Sequence, residues 1–165
     1  MTVHWWRTEK LVDDLIADRV TELQTMWYAI AGGALYTQAV YYAMWFGGYR
    51  TWMLLYELAV VMTIAVIGVR ECFKANGASA GRDFLKRLCC ISVPVGIKIA
   101  IVSLLAYQVL YYGFPRVVTH EVVRDPASVY PLAVFALNVT IAVLYYWRIY
   151  VHLTQVSLGS VLTRA

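Results

Sequence analysis

Two apolar stretches decide the fold class: WMLLYELAVVMTIAVIGV at Trp52–Val69 and LCCISVPVGIKIAIVSLLAYQVLYY at Leu88–Tyr112. A helix needs about 20 apolar residues to cross the roughly 30 Å hydrocarbon core of a bilayer, and both stretches are close to that length or longer. Each carries one charged residue in its interior, Glu57 in the first and Lys98 in the second. Because a charge in hydrocarbon costs about 2.5–3.5 kcal/mol or more, both side chains should face protein or water inside a helix bundle.

The composition of the whole chain agrees with a lipid environment. The chain has 165 residues, of which 61% are hydrophobic and 15% are charged, whereas soluble domains have about 25% charged residues. A net charge of +4 spread over several islands gives no reason to expect nucleic acid binding. Cys72, Cys89 and Cys90 form no CxxC pair, so neither a metal site nor a cofactor is predicted.

Two further apolar runs complete a four-span pattern. The first lies at Trp27–Phe46, extending to about Tyr49, and the last at Tyr130–Val151. The predicted fold is therefore an all-α membrane protein, a four-helix transmembrane bundle over residues 27–151 with spans at about 27–49, 52–69, 88–112 and 130–151. The short turn at 47–50 predicts that the first two spans are antiparallel neighbours, and Gly113–Ser128 is predicted to be a loop.

Residues 1–26 are predicted to contain an amphipathic helix on the cytoplasmic side of the membrane, over Thr8–Met26. The apolar residues recur at helical spacing; they are Leu11, Val12, Leu15, Ile16, Val20 and Leu23. Trp5 and Trp6 suit the membrane interface. Since this segment contains five acidic and three basic residues, docking on protein is favoured over binding to anionic lipid. Residues 152–165 are predicted to be a polar cytoplasmic tail.

The basic residues predict the orientation. Apart from Lys98, ten Lys and Arg residues lie in the N-terminal segment, in Arg70–Arg87 and at the C-terminal end, whereas three, Arg50, Arg116 and Arg124, lie in the other two loops. The positive-inside rule therefore places both termini in the cytoplasm. Such a bias suits a bacterial inner membrane.

Polar residues within the spans are the candidate functional residues. Gln38 and Asn138 are predicted to lie at a depth similar to that of Glu57, which suggests a polar layer inside the bundle. This layer could fix the register of the helices by hydrogen bonds, or it could serve as an ion pathway in which Glu57 titrates. Lys98 could form a salt bridge with Glu57 or serve a separate role.

Two features concern helix packing. Small residues on one face of the first span, namely Gly32, Ala39, Ala43 and Gly47, would let another helix approach closely, within the chain or in a homo-oligomer. Pro94 is predicted to kink the third span and to free the carbonyl of Cys90 from its helical hydrogen bond.

These observations leave three hypotheses for function, none of them enzymatic, because no catalytic constellation is present. The first is a structural or accessory subunit of a larger membrane assembly for secretion, conjugation or transport. The second is a small oligomeric channel or transporter that uses Glu57 and Lys98. The third is a membrane protein that neutralises a toxin through the Gly113–Ser128 loop. The expected partners are the bilayer and either copies of the chain or other membrane subunits.

Overall fold

The computed structural model describes residues 3–46, 51–78, 81, 83–117 and 126–162, with side chains described for 3–37, 55–78, 81, 83–110, 112 and 132–159. This part of the chain is all-α, with five helices and no strand. The helices are α1 (Thr8–Ile16), α2 (Glu22–Phe46), α3 (Thr51–Ala75), α4 (Phe84–Val117) and α5 (Pro126–Leu162).

The prediction of one N-terminal helix over Thr8–Met26 was wrong, because α1 ends at Ile16 and α2 begins at Glu22. Asp18 adopts a left-handed φ of 51°, a conformation that ends a helix and that aspartate tolerates better than most residues. Thr21 then starts α2 with a capping box. The Gln24 amide donates to Thr21 Oγ1 at 3.3 Å, and the Thr21 amide donates to Gln24 Oε1 at 2.8 Å.

Helix α4 is longer at both ends than the predicted span. It continues without interruption through Pro94, which is fully buried, so the predicted kink at this residue stays a prediction. Its last turns include residues 113–117, which had been expected to belong to the loop. Residues 118–125 of the predicted loop lie outside the described residues.

Helix α5 also extends beyond its predicted bounds. It begins at Pro126, where the fixed φ of proline is compatible with the first turn of a helix. It ends at Leu162, so residues 152–162, which were predicted to belong to a polar cytoplasmic tail, continue the helix. Leu153 and Val156 are both fully buried, and their burial explains why the helix continues.

The helices pack in the order α2, α4, α5, α3, and α1 lies against α4 and α5. The expectation that the first two spans are neighbours was wrong, since no α2–α3 interface forms among the described residues. Contacts along the helices show that α2 runs parallel to α4, α3 parallel to α5, and α4 antiparallel to α5.

One half of the bundle, called here the core half, contains almost all of the buried apolar residues. It consists of α1, the start of α2, the end of α3, the start of α4 and the end of α5. Its buried members are Leu11, Val12, Leu15, Val20, Tyr28, Cys72, Cys90, Ile91, Val93, Val95, Ile149, Leu153 and Val156. The apolar stripe of α1 is therefore covered by the chain's own α4 and α5.

The other half, called here the open half, exposes its apolar side chains. Examples on three helices are Leu55, Met62 and Val66 on α3, Val102, Leu105 and Val109 on α4, and Leu132 and Val143 on α5. Two helical segments, Phe84–Leu110 and Leu132–Gly159, are long and apolar enough to cross a membrane. The exposed surface of the open half is typical of helices whose solvent is lipid.

The closest approach between α3 and α5 occurs at Gly68. A methyl group on Gly68 would lie 2.3–2.7 Å from the Cγ, Cδ1 and Cβ atoms of Tyr146. Because these atoms are close to the Tyr146 backbone, rotation of the Tyr146 side chain cannot relieve the clash at low energy. The two helices can therefore pack at this distance only because residue 68 lacks a side chain.

We expect Gly68→Ala to lower the stability of the bundle by about 1–3 kcal/mol, the usual cost of overpacking. The matched control is Gly33→Ala, because a methyl group there would meet no atom within 4 Å. The measurement is thermal unfolding in detergent, followed by circular dichroism. Equal melting temperatures for the two variants would contradict the close approach of α3 and α5.

Candidate functional site

A chain of hydrogen bonds joins three helices in the open half. The Asn138 side chain on α5 donates through Nδ2 to Glu57 Oε1 on α3 at 2.5 Å. The Tyr107 hydroxyl on α4 donates to the Oδ1 atom of the same Asn138. Glu57, Asn138 and Tyr107 are all half-buried, and we call these three residues the polar triad.

The geometry of the polar triad is suited to holding helices together. Asn138 uses its amide NH₂ toward α3 and its carbonyl oxygen toward α4, so one side chain fixes both neighbours of α5. Glu57 can accept the Asn138 hydrogen bond in either protonation state, and it contributes the carboxyl group of the triad. The arrangement therefore combines a register lock with one ionisable group.

The sequence predicted part of this site. Glu57 and Asn138 were expected to share a polar layer, and the structure brings them together. The side chain of Gln38, the third predicted member, lies outside the described side chains. Tyr107 was missed because a tyrosine in an apolar run is also typical of the aromatic residues at membrane interfaces. Its position one turn before Tyr111 and Tyr112, inside the apolar run, was the available signal.

Lys98 lies elsewhere, in the core half. Its Nζ atom donates to Thr8 Oγ1 at 2.8 Å, and the same atom lies 5.7 Å from the centroid of the Trp6 ring. A cation over an indole ring gains about 0.5–2 kcal/mol, depending on how well it is desolvated. Lys98 therefore contacts the N-terminal segment, and the structure does not pair it with Glu57 in one pathway.

The N-terminal segment is also held by its own polar contacts. Arg19 donates two hydrogen bonds to Asp14 Oδ1, at 2.9 and 2.7 Å, and His4 Nε2 lies 3.2 Å from Asp14 Oδ2. The His4 amide donates to the Tyr28 hydroxyl at 2.9 Å. The segment before α1 is thus attached to both α1 and α2.

The predicted small-residue face is described at one position. A methyl group on Gly32 would lie 3.5 Å from Val93 Cγ2, so this part of α2 faces α4 of the same chain. The side chains of Ala39 and Ala43, and Gly47 as a whole, lie outside the described residues. At Gly32 the structure agrees with packing within the chain.

The connection between α3 and α4 contains a buried polar pair that the sequence analysis missed. Arg87 is 8% exposed and donates through Nη1 to Asn76 Oδ1 at 3.0 Å. Gly77, with a φ of 97°, ends the helix next to Asn76. The Arg87 contact therefore ties the start of α4 to the end of α3.

The cysteines are free thiols. Burial, with a smaller contribution from Glu71, raises the pKa of Cys72 to about 11, so this thiol stays protonated and unreactive at neutral pH. The described residues include no group of three or more side chains that could hold a metal ion.

Comparison of the chain with protein-family models, with curated proteins and with solved structures finds no match. The features that bear on function are therefore the polar triad, the docked N-terminal segment and the exposed apolar surface of the open half.

We expect Asn138→Leu to destabilise the bundle more than Glu57→Gln. Leucine removes both hydrogen bonds, so the Glu57 and Tyr107 side chains lose Asn138 as a partner. This loss should lower the free energy of unfolding by about 1–3 kcal/mol. Glutamine keeps an oxygen that can accept the Asn138 hydrogen bond. The measurement is the melting temperature of each variant in detergent at pH 7. A larger loss for Glu57→Gln would show that the charge of Glu57, rather than the bridge, holds the helices.

We expect Lys98→Met to loosen the N-terminal segment while the rest of the bundle stays folded, because methionine keeps the apolar stem and loses the contacts with Thr8 and Trp6. The measurement is hydrogen exchange of the amides in α1, which should become several-fold faster than in the wild type. Lys10→Met is the control, since Lys10 lies on the exposed face of α1. Unchanged exchange in both variants would show that Lys98 does not hold this segment.

Proposed function

We propose that the chain is a four-span integral membrane protein of a bacterial inner membrane that serves as a structural or accessory subunit of a larger membrane assembly. The observation that carries the proposal is the distribution of surface: the polar groups of the open half bond to one another across helices, while its outer faces are apolar and uncovered. Such a surface suits association with lipid and with other membrane helices.

The direction of the helices supports four crossings. Helices α2 and α4 run one way and α3 and α5 the other, and α1 packs against the end of α5. Both termini would then lie on the side of the core half, which also carries the basic connection between α3 and α4. By the positive-inside rule this side is the cytoplasm.

The packing of α1 changes how the subunit would associate. Leu11 and Leu15 are buried against the chain's own helices, so α1 cannot offer its apolar stripe to a partner while it stays docked. The surfaces left for other subunits are the outer faces of the helices in the open half. Helices α2 and α3 lie at the two edges of the row and are the best placed to meet neighbours.

An oligomeric channel or transporter is the second candidate, and the presence of Glu57 in the polar triad is the observation that favours it. Because Lys98 bonds to Thr8 in the core half, the ionisable group of such a pathway would be Glu57 alone. Neutralisation of a toxin by the outer loop remains a hypothesis, and residues 118–125 of that loop lie outside the described residues.

The experiment that tests the proposal is affinity purification of the full chain in mild detergent, with mass determination of the complex. We expect stoichiometric unrelated membrane proteins to remain bound. A homo-oligomer alone would contradict the accessory-subunit role.

Glu57→Gln separates the two candidates. An accessory subunit should still assemble, because the triad keeps its hydrogen bonds. A channel or transporter should lose ion flux in liposomes, because the titrating group is gone. The Glu57→Asp variant is the control for flux, since it retains the carboxyl group.

A further inference from the structure

A groove runs between α3 and α4 in the core half, with α5 as its floor. These two helices do not pack along each other among the described residues, since each contacts α5 instead. The cavity has a volume of about 380 Å³ and is lined by Val69 from α3, by Leu85, Cys89 and Ser92 from α4, and by Tyr145 and Ile149 from α5. Small-molecule pockets span about 300–1,000 Å³, so the groove is large enough for a ligand.

The lining of the groove suits a hydrocarbon chain. Its surface is mostly apolar, and its polar groups bond within the protein. Ser92 donates to the Cys89 carbonyl at 2.8 Å, and the Tyr145 hydroxyl forms a hydrogen bond with Ser92. A polar ligand would therefore find few groups to bind, whereas an acyl chain would need none.

The groove opens toward the surroundings of the bundle at Leu85, which is 76% exposed. Phe73 and Phe84, whose rings meet edge to face at 5.2 Å, form a contact between α3 and α4 next to their connection. An acyl chain could enter from the side, between α3 and α4, directly from the membrane.

The charge next to the groove indicates which class of lipid headgroup it favours. The segment from Arg70 to Arg87, which connects the two walls, contains five Lys and Arg residues against two acidic residues, although Arg87 is buried against Asn76 and Lys74 bridges to Glu71. Arg70 directly follows Val69 and has an exposed side chain. Basic groups on the cytoplasmic side of transmembrane helices attract anionic lipid headgroups, so the chemistry favours a negatively charged phospholipid over a neutral one.

We propose that the groove between α3 and α4 binds one acyl chain of an anionic phospholipid from the cytoplasmic leaflet, with the headgroup phosphate near Arg70. This inference rests on the proposed membrane location of the chain. The lipid would fill the gap between α3 and α4, which are held together mainly by their common neighbour α5. The bound acyl chain would then be part of the packed core half.

The test is native mass spectrometry of the full chain released from detergent, with dioleoyl phosphatidylglycerol and dioleoyl phosphatidylcholine as the competing probes. We expect the wild type to retain one phosphatidylglycerol, in preference to phosphatidylcholine. Arg70→Gln should lower this preference about fivefold, as expected for one basic group near the membrane surface. Lys74→Gln is the control, because Lys74 already bridges to Glu71 at 2.7 Å.

Two variants test the groove itself. Cys89→Phe fills the cavity with a ring. Leu85→Glu places a negative charge at the opening of the groove, and the high exposure of Leu85 means that the protein can accommodate this change without misfolding. Both should reduce retention of phosphatidylglycerol at least fivefold. The matched controls are Val109→Phe on the open half of α4 and Leu158→Glu at the end of α5, where the wild-type residues are 70% and 63% exposed; neither should change retention.

Equal retention of the two lipids by the wild type would overturn the proposal, and so would retention by the Leu85→Glu variant at the wild-type level. Extraction of the membranes with alkaline carbonate separates this failure from that of the proposed function. If carbonate releases the chain, the membrane location itself is wrong. If the chain stays in the membrane but retains no phosphatidylglycerol, only the lipid site is wrong.

Discussion

The docking of α1 on α4 and α5 is the interaction on which the rest of the structure depends. Leu11 and Leu15 are 1% and 4% exposed, and burying a leucine side chain is worth about 1.5–3 kcal/mol. To cover this stripe, α5 must continue as a helix far beyond the predicted end of its span. Lys98 then contacts Thr8 and Trp6 of the docked segment.

This docking gives the two halves of the molecule different packing. In the core half the chain buries the apolar stripe of α1 against its own α4 and α5, while the groove between α3 and α4 stays open. In the open half the apolar side chains have no protein cover, and the polar triad provides the specific contacts between α3, α4 and α5. Hydrogen bonds of this kind contribute only about 0.6 kcal/mol each on average between membrane helices, so they set register more than they add stability.

The sequence predicted the class of structure better than its arrangement. Long apolar runs with Glu57 and Lys98 inside them indicated helices in a bundle, and the described residues are helical as expected. The pairing of Glu57 with Asn138 was within reach because both are polar residues in apolar runs at similar depth. The role of Tyr107 could not be predicted, since a tyrosine can be an interfacial anchor or a buried hydrogen-bond donor. Only its contact with the neighbouring helix decides between the two.

What the sequence determined by itself was the set of helices, because hydrophobic length and periodicity are local properties of the chain. It also determined where the charges lie along the chain, and therefore the predicted orientation. Only the tertiary structure decided which helices are neighbours, where α1 docks and which partner each buried polar group takes. A short turn constrains the ends of two helices, whereas the contact of α2 with α4 and of α3 with α5 depends on the fit of side chains such as Gly68 against Tyr146, which are far apart in sequence.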